Sequence, residues 1–119
     1  MLSDSKKQSK SDLNAVNKFK FRNNIKAMSI NINGIRGKKT DLQAFLSSED
    51  PDIVAIQETK IDKHIMSNEL VPEELGYDVF RKDRNCSGGG VMLIVKKFLK
   101  PTPLVKLENE AEAVWCSVT

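Results

Sequence analysis

The chain has 119 residues, 39% of them hydrophobic and 29% charged, with a formal charge of +3, which is the composition of soluble globular material. No apolar run approaches the ~20 residues that cross a bilayer, and no apolar stretch of about 7 to 15 residues near the N-terminus marks a secretory leader. Cys86 and Cys116 show neither CxxC spacing nor a neighbouring histidine cluster, so a zinc framework is excluded and free thiols in a reducing compartment are expected.

The charge is unevenly placed. Residues 1 to 26 carry seven Lys or Arg against two Asp, while the rest carry twelve against fourteen, so the basic excess lies at the N-terminal end. Its first dozen residues are polar and poor in apolar side chains, and a disordered basic leader is expected over 1–25. Such a leader either attracts nucleic acid or is simply solvated.

The first strand is expected in Ala27-Met-Ser-Ile-Asn-Ile-Asn-Gly-Ile-Arg36. Period-2 geometry places Asn31 and Asn33 on one side, opposite Ile30 and Ile32, and Gly34 supplies a sharp exit. Taken alone, this segment also reads as a plain Asn-Gly turn. Next, Thr40-Asp-Leu-Gln43 has capping-box spacing, and Leu42, Phe45 and Leu46 fall on one helical face, which predicts a helix over 40–48. Asp50-Pro51 writes its stop, because the residue before proline is pushed out of the helical region. A second strand follows at once in Asp52-Ile-Val-Ala-Ile-Gln-Glu58, whose continuous β-branched run suits a buried parallel strand. Strand, helix and strand make a crossover unit.

Glu58 ends that second strand. A carboxylate there stands at the edge of a sheet where α/β proteins bind ligands, although strand-end carboxylates are also common in plain solvent. If the two strands are neighbours, the Asn31 and Asn33 amides converge on Glu58. Oxygen donors of this kind suit a hard cation such as Mg2+, which takes one or two carboxylates and completes its shell with water and phosphate oxygens.

From Tyr77 the pattern changes to a meander. Tyr77, Val79 and Arg81 alternate with Asp78, Phe80 and Lys82, and a Gly-rich break through Gly90 precedes Val91-Met-Leu-Ile-Val95, so a hairpin is expected. The triple glycine lacks the Lys-Ser/Thr and helix of a phosphate-cradling loop and reads as a wide turn. A last strand is expected over 113–118, with Val114, Cys116 and Val118 on one face. His64 falls in a polar stretch and reads as an exposed loop histidine.

In order, Ser29-Ile-Asn-Ile-Asn-Gly-Ile-Arg36, Pro51-Asp-Ile-Val-Ala-Ile-Gln-Glu-Thr-Lys60, Tyr77-Asp-Val-Phe-Arg-Lys-Asp-Arg-Asn85 with Ser87-Gly-Gly-Gly-Val-Met-Leu-Ile-Val95, and Glu112-Ala-Val-Trp-Cys-Ser-Val118 resemble the opening half of the endonuclease/exonuclease/phosphatase superfamily. They look most like the apurinic-endonuclease-type domain of LINE-type retrotransposons. The resemblance covers roughly residues 26–119. It implies an α/β fold, part of a four-layer α/β/β/α sandwich of the DNase I type, with only the first sheet and its helices present. By the same resemblance Glu58 is the principal metal carboxylate, Asn31 contacts the scissile phosphate and the metal environment, and Asn33 is a further metal ligand where many members carry Asp. Arg36 and Lys60 then approach the nucleic-acid backbone, or are merely solvated cations.

The activity so implied is Mg2+ (or Mn2+) dependent hydrolysis of DNA phosphodiesters, with a reverse transcriptase domain on the same chain of a complete element and an intracellular, nuclear location. In the family the base histidine with its Asp, an Asp-x-Asn segment and a tyrosine come later than Thr119 in the order of motifs, so the chain alone is expected to be inactive. Two other functions stay open: a superfamily phosphatase acting on inositol phosphates or lipid headgroups, and a non-catalytic remnant or binding module that uses its basic leader.

Overall fold

The computed structural model describes residues 24–104 and 112–118. All but the last two residues of the expected leader lie outside the described residues. The first strand, β1 (Ala27–Asn31), is followed by a 3-10 turn (Arg36–Lys38) that runs directly into helix α1 (Lys39–Glu49). Strand β2 (Ile53–Gln57) comes next, then a short helix α2 (Ser67–Leu70) and a second 3-10 turn (Glu73–Leu75). The hairpin strands are β3 (Tyr77–Lys82) and β4 (Val91–Lys96).

Four strands form one mixed sheet in the order β1-β2-β4-β3. β1 and β2 are parallel, as the crossover unit requires, with Asn31 opposite Gln57. β4 runs antiparallel to β2, with Val91 opposite Gln57, and antiparallel to β3. The two continuous apolar strands thus occupy the centre of the sheet. Their alternate residues Val54, Ile56, Met92 and Ile94 are all essentially inaccessible and belong to one core with Leu42 and Leu46 of α1 and with Ile35, Ile61, Leu70 and Val71 from the connections. Full burial of each such aliphatic group contributes roughly 1.5–3 kcal/mol, and Leu46→Ala would cost about 2–5 kcal/mol.

Helix α1 forms where its apolar spacing predicts, but the capping-box reading of Thr40 is not met. Thr40 is the second helical residue, and the residue before the helix, Lys38, makes no side-chain cap. The physical reason is the preceding 3-10 turn: the Lys39 N–H already bonds to the Arg36 carbonyl, so the helix has no bare end for a hydroxyl to cover. At the other end Asp50 leaves the helix as expected of a pre-proline residue, but in the left-handed region (φ 50°, ψ 49°) rather than extended, with its N–H on the Leu46 carbonyl. Asp52, fully buried, then accepts the Lys26 backbone N–H at 2.8 Å and ties the start of β1 to the start of β2.

The expected last strand is shorter than its alternation suggested. Among the described residues it forms β6 (Cys116–Ser117), paired with β5 (Thr102–Pro103) in a separate two-stranded ribbon, and the Leu104 N–H donates to the Trp115 carbonyl at 3.0 Å just beyond. Among the described residues no helix is long and apolar enough to cross a membrane.

Candidate active site

The hydrogen-bonded ladder does not stop where β2 stops. On one side Ile32 donates to the Gln57 carbonyl (3.0 Å), Gly34 to that of Glu58 (2.8 Å) and Ile35 to that of Thr59 (3.0 Å). On the other side Thr59 donates to the Gly90 carbonyl (3.3 Å) and Lys60 to that of Gly89 (2.8 Å). Residues 58–60 are therefore held between the exit of β1 and the entry to β4. Three non-glycine residues at this edge sit at positive φ: Asn33 (50°), Glu58 (56°) and Lys60 (57°). Side chains disfavour that region, and such residues concentrate at functional sites.

The twist brings two of the sequence-predicted residues together. Asn31 Nδ2 donates to Glu58 Oε2 at 3.3 Å, across the gap between the parallel strands, and both side chains are exposed. Asn33 is exposed like Asn31, with Ile32 buried between them, so exposure alternates as expected from the sequence even past the end of the strand. β1 ends at Asn31, and the left-handed turn at Asn33 carries its amide oxygen to the Lys60 ammonium. Lys60 is thereby anchored and only partly exposed. Arg36 stands exposed on the 3-10 turn that follows, and Lys38 of the same turn caps the Ile32 carbonyl at 2.6 Å.

A second group of side chains carries no obvious signal in the sequence. Asp62 Oδ1 accepts the His64 N–H at 2.9 Å and lies 3.1 Å from the ring Nδ1, while its Oδ2 accepts the Cys86 thiol at 3.1 Å. The thiol, followed by the His64 amide, holds the Asp62 carboxyl down at about 2, and the same bond pushes the Cys86 pKa up, so it remains a thiol. His64 is an exposed loop histidine as expected, though one paired with Asp62. The loop is fastened from beneath by Arg81, whose guanidinium donates to Asp83 (3.1 and 2.8 Å), Ser67 Oγ (3.1 Å) and the Asp62 carbonyl (2.9 Å). The only advance signal was the Asp-x-His spacing, which suits a local side-chain turn.

Among the described residues no three His, Cys, Asp or Glu side chains converge as a metal cluster. The edge instead offers one carboxylate, Glu58, that no described cation neutralises, with an amide beside it whose oxygen and nitrogen can exchange places by a flip. That donor set is too sparse and too hard for structural zinc. It fits a cation such as Mg2+ that keeps several waters and takes oxygens from a phosphate.

Residues 28–112, a span that holds every one of these side chains, match the Endonuclease/Exonuclease/phosphatase family. The chain belongs to that family. Exodeoxyribonuclease III of Haemophilus influenzae is 34% identical over 73 residues, which is 61% of this chain and 27% of that protein. The catalytic domain of APE2 from Xenopus laevis superposes with a TM-score of 0.51 at 33% identity over 66% of this chain and 25% of that one. A Neisseria 3' phosphatase, NExo, bound to a product DNA hairpin superposes with a TM-score of 0.63 over 81% of this chain and 38% of its own; at 16% identity it speaks for the fold alone. The chain thus spans well under half the length of each of these proteins. The α/β layer expected from the sequence, one mixed sheet with its helix in a partial DNase I-like fold, is the shared part.

Proposed function

We propose that this family member contributes the phosphate-facing part of a divalent-metal-dependent nuclease acting on DNA, with Glu58 as the carboxylate that holds Mg2+ (or Mn2+). The observation that carries the reading is the meeting of Asn31 and Glu58 across the β1–β2 edge, within the segment that matches the family. When bound, the ion would neutralise charge on the phosphate. The chain's own residues do the rest of the positioning. Asn31 orients the carboxylate and presents its amide to the phosphate. Lys60, tethered to Asn33, and the exposed Arg36 offer cations to the nucleic-acid backbone at fixed places along the edge. In this reading Asn33 holds Lys60 in place for the nucleic-acid backbone, and its amide oxygen ligates the ion once that tether is released. The groups that activate water and protonate the leaving oxygen lie outside the described residues.

The finer assignment is to a LINE-type retrotransposon endonuclease, nuclear and joined to a reverse transcriptase. It is supported by the combination of Arg81-Lys-Asp-Arg-Asn85 with Ser87-Gly-Gly-Gly90 in the hairpin. The test is a supercoiled-plasmid nicking assay, with Mg2+ titrated, on a full-length protein in which this chain is continued to the length of its relatives. Glu58→Gln keeps the shape and removes the charge, so nicking should fall on the order of 10²-fold or more. An unchanged rate and Mg2+ requirement removes Glu58 from the site. A full-length protein that releases phosphate from inositol phosphates and leaves DNA intact would replace the nuclease reading by the phosphatase one.

A further inference from the structure

Among the described residues Thr59 Oγ1 is a buried side-chain polar atom without a hydrogen-bond partner. A buried hydroxyl left in this way is costly, and the position calls for an explanation. Thr59 is fully buried, yet its two chain neighbours, Glu58 and Lys60, are the left-handed residues of the site. Its side chain is pressed against Gly90: a Cβ built on Gly90 would stand 2.2 Å from Thr59 Oγ1, which no real Cβ tolerates, and Gly90 itself has φ 91°. The same two residues are joined through the Thr59 N–H and the Gly90 carbonyl. Thr59 therefore fills the space that the missing side chain of Gly90 leaves open.

We propose that Thr59 and Gly90 form a positioning latch for Glu58, in which the bare Cα of Gly90 receives the Thr59 side chain and so fixes the left-handed backbone that aims the Glu58 carboxylate at Asn31. Neither residue touches the ion. The inference rests on the reading of Glu58 as the metal carboxylate and assigns a purpose to the glycine run, whose last member is required by shape as well as by φ. Any bulk added at Gly90 drives Thr59 toward the β1 side, where its carbonyl is bonded to Ile35 and that of Glu58 to Gly34. The displacement is then delivered to the Glu58–Asn31 pair.

The experiment measures Mn2+ binding to the full-length protein from the electron paramagnetic resonance signal of the free ion. Glu58→Gln should abolish the site. Gly90→Ala should weaken it about tenfold, since small misplacements of a binding group are felt strongly. Thr59→Ala combined with Gly90→Ala removes the colliding atom and should bind at least roughly threefold more tightly than Gly90→Ala alone, a coupling that backbone strain by itself does not produce. Gly76→Ala is the control: Gly76 has φ 82° but open space around it, so it imposes similar strain without a collision, and Mn2+ affinity should match the unaltered protein.

If Gly90→Ala fails to fold, Thr59→Ala alone decides, because it adds no bulk. It should quicken amide exchange at Thr59 and Lys60 and weaken Mn2+ by roughly threefold. The latch is overturned if Gly90→Ala binds Mn2+ as Gly76→Ala does, if the double variant is no better than Gly90→Ala, or if Thr59→Ala changes neither exchange nor affinity. Mn2+ binding unaffected by Glu58→Gln overturns the metal reading itself and the latch with it.

Discussion

Tyr77→Phe removes one oxygen from the lower end of the sheet, and the structure sets what that oxygen holds. The Tyr77 hydroxyl donates to the Pro51 carbonyl at 2.6 Å; the ring is 5% exposed, and Pro51 is among the fully buried residues. Pro51 lies between the left-handed exit of α1 and the start of β2, so the bond ties the first residue of β3 to the turn that sets the strand carrying Glu58. Phe preserves the packing and leaves a buried carbonyl without its donor, a loss of about 1–3 kcal/mol. Against a total of about 5–15 kcal/mol for a domain this is large enough to read from a urea midpoint near neutral pH.

A second signature distinguishes the hydroxyl from the ring. Burial first, then the charges of Asp50 and Asp52, push the Tyr77 pKa up to about 12 from an ordinary value of 10.0. The folded state thus favours the neutral phenol, and the associated stability is fully present below the unfolded value and is lost as pH rises through the folded one. The margin of the tyrosine protein over Tyr77→Phe should therefore shrink between about pH 10 and about pH 12. Equal stability of the two proteins at neutral pH, or a margin that stays constant across that alkaline window, would refute the reasoning.

Other outcomes follow from the same geometry. Arg81→Lys keeps the charge but not the fork that reaches Asp83, Ser67 and the Asp62 carbonyl, so thermal unfolding should report a loss of about 1–3 kcal/mol and the His64 loop should exchange its amides faster. The Asp62 carboxyl is depressed from 3.8 to about 2, so its contribution is present above the ordinary value and lost as pH falls through the folded one; carbon NMR of the carboxyl should show a midpoint near the lower value, and Cys86→Ala should raise it. Residues 1–119 expressed alone should self-associate and leave supercoiled plasmid intact. The reason is that the face bearing Ala55, Val91 and Leu93, with Trp115 at 47% exposure, is only partly covered in a chain that spans so little of its relatives' length; sedimentation showing a protected monomer would contradict this.

The elements were legible wherever local periodicity decides them. Leu42 and Leu46 fixed the face of α1, the β-branched run through Ile56 marked a central strand, and the apolar run of β4 after three glycines marked a hairpin. The meeting of Asn31 with Glu58 was also legible, because strand ends and a parallel crossover suffice to predict it. What escaped depends on departures from periodicity. The left-handed turn at Asn33 redirected its amide to Lys60, the 3-10 turn displaced the expected cap at Thr40, and the Asp62–Cys86 contact joins loops 24 residues apart. The pairing of β6 with Thr102–Pro103 was not legible either, since that stretch gave no apolar pattern to read.

The order of strands in the sheet has a kinetic consequence. β1, α1 and β2 are contiguous in sequence, and so are β3 and β4, whereas the pairing that joins the two pieces, from Ile53 with Val95 to Gln57 with Val91, closes a long loop. Loop-closure entropy disfavours that seam until both pieces exist, so it should zip last and fray first. Its terminal stitches are the bonds from Thr59 and Lys60 to the glycines of the hairpin. A cation that binds only the closed seam would hold it shut by mass action, so that ion concentration, and not merely temperature, would govern how often these amides open to solvent.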